Sequence, residues 1–238
     1  MENQLKIQIW SDVMCPFCYI GKRKLEQALG NFESKDAVAI EWKSFQLDPT
    51  ATSQPGNNTF DYLAKKYNRD RDWSVAMHES VTQQAKAVGL DYHFEKLVLA
   101  NSLNAHRLSH LAKKHNLGNA FEELLFKAHF TQGLDVDDKV TLTKLAIEVG
   151  LKAEEIEAVL NSDAFADEVK KDIEEAQAIG VTGVPFFVFD NKYAVSGAQP
   201  SETFLKTLEK AWEDGGFDSK IILQNTTDKN SCDIDGCD

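Results

Sequence analysis

No stretch of this chain approaches the run of apolar residues that a bilayer span requires. Positive charge is in short supply. Lys and Arg number 26 against 38 Asp and Glu, a formal net charge of −12, which argues against nucleic acid or an anionic membrane surface as a partner. Internal repeats are missing, so solenoids and propellers are set aside. Met1-Glu2-Asn3-Gln4 opens acidic and polar and runs straight into a strand pattern, without the basic region and apolar core of a secretory leader. The expected compartment is therefore the cytoplasm, where disulfides are transient and catalytic. Wholesale disorder is excluded, because 42% of the residues are hydrophobic and 10% aromatic. A length of 238 residues suits one domain with a large insertion or two small ones. Nothing in the sequence sets the oligomeric state.

Cysteine is sparse as well, four in all, but the four fall into two close pairs. Cys15-Pro16-Phe17-Cys18 follows the alternating run Leu5 to Trp10, a strand, and stands where a helix should begin. Unpaired N–H groups and the positive end of the helix dipole favour a thiolate at Cys15, and one helical turn brings Cys18 beneath it. This is the pattern of a redox dithiol. Cys232 and Cys237 enclose Asp233-Ile234-Asp235-Gly236, an acidic spacer whose Asp-Gly turn brings two thiols within disulfide reach. The neighbouring carboxylates disfavour thiolate there and so favour the disulfide, which makes the tail pair an expected second redox centre delivering electrons to Cys15-Cys18.

Along the chain the periodicity predicts β-α-β over the first forty-odd residues, with Ile20, Leu25 and Leu29 on the apolar side of the helix and Val38, Ile40 and Trp42 in the second strand. A breaker-rich stretch from Asp48 to Asn58 interrupts it. Roughly a hundred residues of helical pattern follow, then one further helix ending near Gly180. The continuous run Phe186-Phe187-Val188-Phe189 predicts a strand buried on both faces. Asp190-Asn191 turns it into Tyr193-Ala194-Val195, and a last amphipathic helix carries Phe204, Leu208 and Trp212. Pro185, just ahead of that strand, belongs at its first position or in a special turn, where an X-Pro bond can be cis.

With these residues in hand, the chain resembles the thioredoxin superfamily, in its DsbA-like branch, and within it the FrnE-type oxidoreductases related to 2-hydroxychromene-2-carboxylate isomerases. Four segments carry the likeness: Asp12 to Cys18, Asn101 to Arg107 (NSLNAHR), Thr182 to Phe187 (TGVPFF) and Ser196 to Pro200. The resemblance implies an α/β thioredoxin fold interrupted by an all-helical insertion. Its expected division is about 1–50 and 165–215 for the thioredoxin-like part, 51–164 for the helical part and 216–238 for a polar tail. It implies that Cys15 attacks, Cys18 resolves the mixed disulfide, and a cis-proline loop at Val184-Pro185 receives substrate backbone. Pro16 and Phe17, between the thiols, join that loop as expected substrate contacts. The partners implied are disulfide-bearing proteins or small thiols, with glutathione as a reductant or co-substrate and no resident cofactor or metal.

Three other readings compete. Zinc held by Cys15, Cys18, Cys232 and Cys237 leaves the Val-Pro loop unexplained. A glutathione-dependent isomerase or transferase carries serine where Cys15 stands in the family, and a thiol there exchanges with glutathione rather than cradling it. A chaperone-like binding module would retain the thioredoxin scaffold and offer unfolded chains an apolar groove on the helical block. Smaller expectations complete the reading. Lys22, Arg23 and Lys24 form a solvated helix face, Met14 and Trp10 pack, Phe17 walls the active cysteine, and His106 supports packing near the cleft. His78, His93, His110, His115 and His129 show no ligand pairing.

Overall fold

The computed structural model describes residues 4–217 apart from 55 and 57. Strand β1 (Leu5–Ser11) buries Leu5, Ile7 and Ile9 and turns Lys6 outward, the two-residue alternation the sequence shows. Helix α1 (Pro16–Gly30) starts on Pro16, whose fixed φ and missing N–H suit a first helical position. Strand β2 (Val38–Ser44) then lies parallel to β1, from Leu5 opposite Val38 to Ser11 opposite Ser44. The β-α-β start is as expected.

The helical region comprises α2 (Thr59–Lys66), α3 (Arg71–Ala87), α4 (Leu103–Lys114), α5 (Gly118–Phe126), α6 (Lys139–Glu148) and α7 (Ala153–Leu160). A π-helical turn, Lys127–Thr131, continues α5. Asn58, Asp70 and Asp138 accept main-chain N–H bonds at the starts of α2, α3 and α6, satisfying donors that a helix start leaves open. Where one helix was expected up to Gly180, two are present: α7, and α8 (Ala166–Ala178). Phe165 takes a left-handed φ of 64° at the break, and the guanidinium of buried Arg107 donates to the carbonyls of Val159, Ser162 and Ala164. A cation supplied from α4 thus closes the C-terminal end of α7, which no local pattern reveals.

Strands β3 (Phe186–Phe189) and β4 (Tyr193–Ser196) complete a sheet of order β2-β1-β3-β4, with β3 antiparallel to both neighbours. Asp190 and Asn191 take left-handed backbone, φ 50° and 54°, which these two residue types tolerate, and Lys192 N–H closes the turn on Phe189 O. The expectation that β3 is buried on both faces needs correction. Phe187 and Phe189 are fully buried, whereas Phe186 and Val188 are half-buried beside Trp10, Ala176 and Val181. α1 and α9 (Ser201–Gly215) pack together on the first side, α9 reaching β1, β3 and β4, and α8 packs on the second. A main core runs without interruption from Leu5 and Ile7 through Phe121, Phe126 and Phe130 to Phe204 and Phe217. β1 therefore ends, and α1 begins, where the sheet meets the helical region.

Candidate active site at the Cys15 cleft

Cys15 occupies the N-cap position of α1, with extended backbone. Its N–H donates to Asp12 O (2.9 Å) and Cys18 N–H donates to Cys15 O (3.0 Å), so the CPFC segment is one tight turn. Both thiols are free. Cys15 is 4% exposed and Cys18 1%. Burial, followed by the adjoining Cys15 thiol, pushes the Cys18 thiol well above its ordinary range. Among these two sulfurs, Cys15 is the one that borders open space. It lines a cleft of about 440 Å³ with Met14, Pro16, Phe17, Gly183 and Val184.

The Val184–Pro185 peptide is cis. Cys15 Sγ donates to the Val184 carbonyl at 3.4 Å, joining positions 169 residues apart in sequence. Val184 faces the cleft, while Pro185 is buried behind it and its carbonyl accepts the Gly197 N–H at 2.8 Å. Gly21 supplies the space. A Cβ there would lie 3.0 Å from Pro185 Cγ and 3.1 Å from Phe187 Cζ. This glycine carries no motif signal; the close approach of α1 to the proline loop is what demands it.

Asp12 fixes the approach to the cysteines. Its carboxylate, 1% exposed, accepts Met14 N–H at 3.1 Å and Leu47 N–H at 2.7 Å, and His106 Nε2 stands 3.6 Å away. Burial alone would raise the Asp12 carboxyl, but His106 and the two N–H groups prevail and hold it below its usual range. Burial likewise opposes charge on His106, and Asp12 prevails there too, raising it. His106 was expected only to pack; it also pins, through Asp12, the loop before Cys15 and the loop after β2. Tyr92 Oη adds a bond to Pro16 O at 2.7 Å, tying the first turn of α1 to the helical region.

Lys22 and Arg23 do not form the solvated face the sequence suggests. Lys22 is 4% exposed, and its Nζ meets Glu26 at 2.5 Å and Glu123 at 2.7 Å. Arg23 pairs with the same two carboxylates, and Lys24 Nζ donates to Ala198 O at 2.7 Å. The partner Glu123 lies on α5, a hundred residues on, beyond the reach of a local reading. Trp10 packs as expected, its Nε1 donating to Asp172 O at 2.8 Å on the α8 side. Met14 is half-buried against the core and also borders the cleft. His106 and His110, though one turn apart, serve separate carboxylates, Asp12 and Asp172. Among the described residues no three His, Cys, Asp or Glu side chains are placed to hold a metal, and no helix is long and apolar enough to cross a membrane. Cys232 and Cys237 lie outside the described residues.

A family model for the DSBA-like thioredoxin domain matches residues 6–209. The chain belongs to this family. Among DSBA-like relatives, it is 36% identical to the probable DsbA oxidoreductase SCO1869 from Streptomyces coelicolor, whose crystal structure superposes with a TM-score of 0.82 over 99% of this chain and 97% of that one. The YwbO protein of Bacillus subtilis (strain 168) is 29% identical over 206 residues, 85% of this chain and 94% of YwbO. A 2-hydroxychromene-2-carboxylate isomerase shares the fold, with TM-score 0.61 and 15% identity over 94% of this chain and 100% of that one. The likeness first suggested by the motifs thus holds for the DSBA-like branch and for the isomerase scaffold beside it.

Proposed function

We propose that this DSBA-like protein exchanges disulfides with proteins or small thiols in the cytoplasm, using Cys15 as nucleophile and Cys18 as resolving thiol. The Cys15 thiolate attacks a substrate disulfide, forming a mixed disulfide and releasing one substrate thiolate. Cys18, once deprotonated, attacks Cys15 Sγ, closes the intramolecular disulfide and releases the second thiolate. Two electrons pass to the substrate, and the two released thiolates take up the protons the cysteines gave away. Run backwards, the same steps oxidise a dithiol. Glutathione in its thiol form is the reductant this reading allows: one molecule opens the Cys15–Cys18 disulfide as a mixed disulfide, a second releases it as glutathione disulfide and leaves the dithiol, and no resident cofactor takes part.

One observation carries the reading: the CPFC thiol that borders the cleft touches the Val184 carbonyl at 3.4 Å, with its buried partner one turn below. An extended segment laid against Gly183 and Val184 presents its sulfur beside Cys15, and main-chain contacts there ask for no particular sequence. Cysteine rather than serine at position 15 favours exchange over the isomerase chemistry of the shared scaffold. The test is reduction of insulin with dithiothreitol. Precipitation accelerated by the full chain, and lost in Cys15→Ser, is expected. Inactivity on insulin together with turnover of a hydroxychromene carboxylate would transfer the reading to the isomerase class. For Cys232 and Cys237 the proposed role is a second dithiol that passes electrons to the core pair, which requires a lower midpoint potential in the tail than in the core.

A further inference from the structure

The resolving step asks for an anion where the surroundings discourage one. Cys18 must lose its proton to attack Cys15 Sγ, yet burial, and then the adjoining Cys15 thiol, hold that proton on. The charged side chains nearby are engaged elsewhere. The Asp12 carboxylate is bound by the Met14 and Leu47 N–H groups and faces His106. Lys22, one turn along α1, is taken by Glu26 and Glu123. Tyr92 feels the charge of both thiols, but burial first and then Cys15 push its phenol up, so it is neutral at physiological pH.

Ser11 differs. It ends β1, and the two-residue alternation of the strand sends its side chain out on the face of Leu5, Ile7 and Ile9. Those three share one core with Cys18 and Ile20 of α1. Ser11 is 2% exposed, and its Oγ has no hydrogen-bond partner among the described residues while both thiols are free. Its register partner Ser44, by contrast, has its Oγ on His110 Nε2 at 3.2 Å. The Ser11 hydroxyl and the Asp12 main-chain N–H are both placed to favour the Cys18 anion. Their backbone is braced: Ser11 O accepts the Phe45 N–H and Asp12 O accepts the Cys15 N–H, each at 2.9 Å. A donor left open beside a buried sulfur that must ionise has its acceptor in that charge.

Resting on the exchange reaction above, we propose that Ser11 assists the resolving step, its hydroxyl donating to Cys18 Sγ as that sulfur becomes an anion. The hydroxyl holds the charge, together with the Asp12 N–H, until the bond to Cys15 Sγ forms and the bond from Cys15 to the substrate sulfur breaks. The proton from Cys18 goes to the substrate thiolate released in the first step, and serine keeps its own. In reverse, when a thiolate opens the disulfide at Cys15, the same hydroxyl receives Cys18 as the leaving thiolate. Both directions gain alike, so Ser11 sets a rate and leaves the midpoint potential in place at neutral pH, where the resting Cys18 is a thiol.

The two thiols can be followed one after the other. Full-length protein carrying Cys232→Ser and Cys237→Ser, so that Cys15 and Cys18 are its only thiols, is reduced and mixed with excess dithiobis(nitrobenzoate). Attack by Cys15 releases a first coloured thiolate at a rate that rises with reagent, and attack by Cys18 releases a second at a rate that does not. Ser11→Ala in this background should leave the first release and the melting temperature nearly unchanged and slow the second about tenfold at neutral pH. The pH at which the second release reaches its plateau should rise by about one unit. Ser11→Thr, which keeps the hydroxyl, should recover most of the rate. A second release untouched by Ser11→Ala, or slowed with no movement of its pH profile, overturns the assignment while leaving disulfide exchange intact. A Ser11→Thr chain as slow as Ser11→Ala would do the same, by tracing the effect to packing. Failure of the Ser11-bearing protein to release a second thiolate takes down the resolving role of Cys18 and the assignment together.

Discussion

Two cavities of nearly equal size mark this molecule, and their walls could hardly be less alike. The Cys15 cleft, about 440 Å³, is mostly apolar and contains a free thiol. The second, about 420 Å³, lies against edge strand β2 and is lined by Lys6, Glu41, Lys43, Lys113, His110 and Glu122 among others. There, charges answer one another. Lys6 and Lys113 both bind Glu41; burial would raise that carboxyl, but the two ammonium groups prevail and hold it at about 2. Lys43 meets Asp172 at 2.9 Å and Glu175 at 2.7 Å, and Ser109 Oγ donates to Glu122 at 2.7 Å. Charge density alone would point to the wrong cavity. A site is better marked by a nucleophile that borders open space than by charged groups that are spent on each other.

The contrast predicts that substitutions in the two places separate chemistry from stability. The largest effect is at the sulfur. Cys15→Ser should bring disulfide reduction to the uncatalysed background with melting temperature little changed, whereas Cys18→Ala should still react once and accumulate a mixed disulfide visible by intact mass. Cys15→Ser protein that retains activity would move the nucleophile elsewhere. On the charged side, Asp172 is the member with most to lose, since it accepts from Lys43, Ser44 N–H (2.9 Å) and His110 while 4% exposed. Asp172→Ala leaves the Lys43 ammonium with Glu175 alone and should cost about 3 kcal/mol in urea unfolding. Its kcat/KM should stay within about twofold, because Asp172 is not among the residues lining the Cys15 cleft. A large kinetic defect with intact stability would erase the distinction between the cavities.

Between these stands Gly21→Ala. The added methyl has only 3.0 Å to Pro185 Cγ and 3.1 Å to Phe187 Cζ, both in packed rings. Overpacking of this kind costs about 1–3 kcal/mol, and the neighbour that must yield is the loop that presents Val184 to Cys15. A raised KM accompanying the lower stability is expected. Stability loss with unchanged KM would show the loop to be insensitive to its backing.

What the sequence made legible here was local, and what it hid was reciprocal. The CPFC turn, the Val-Pro loop and the Asp190-Asn191 turn are written in contiguous residues whose backbone demands are strict. The partners of Lys22 and Arg23, by contrast, come from Glu123 on α5, and the cap of α7 comes from Arg107 on α4. Neither follows from periodicity, so a paired face was read as solvated and two helices as one. Gly21 is silent in the sequence because its significance is a distance to another element.

The smallest expected effect concerns the link between the two cavities, the Asp12–His106 contact, since Asp12 and His106 line one cavity each. Burial opposes charge on both; the pair interaction prevails, raising His106 above its ordinary 6.5 and lowering Asp12 below 3.8. A raised histidine contributes stability that is complete below the unfolded value near 6.5 and is lost as pH climbs through the folded value. A lowered aspartate contributes stability that is complete above 3.8 and is lost as pH falls through its folded value. The melting-temperature advantage of the native protein over His106→Gln should therefore be greatest on the acid side of neutrality, above the Asp12 titration, and shrink as pH rises through that of His106. Glu122, buried nearby and raised first by burial, is also acted on by His106 and acts on it in turn, so its response to the loss of His106 enters the same difference curve. A difference that is flat from about pH 5 to about pH 10 would mean that His106 holds Asp12 as a neutral ring, by packing rather than by charge.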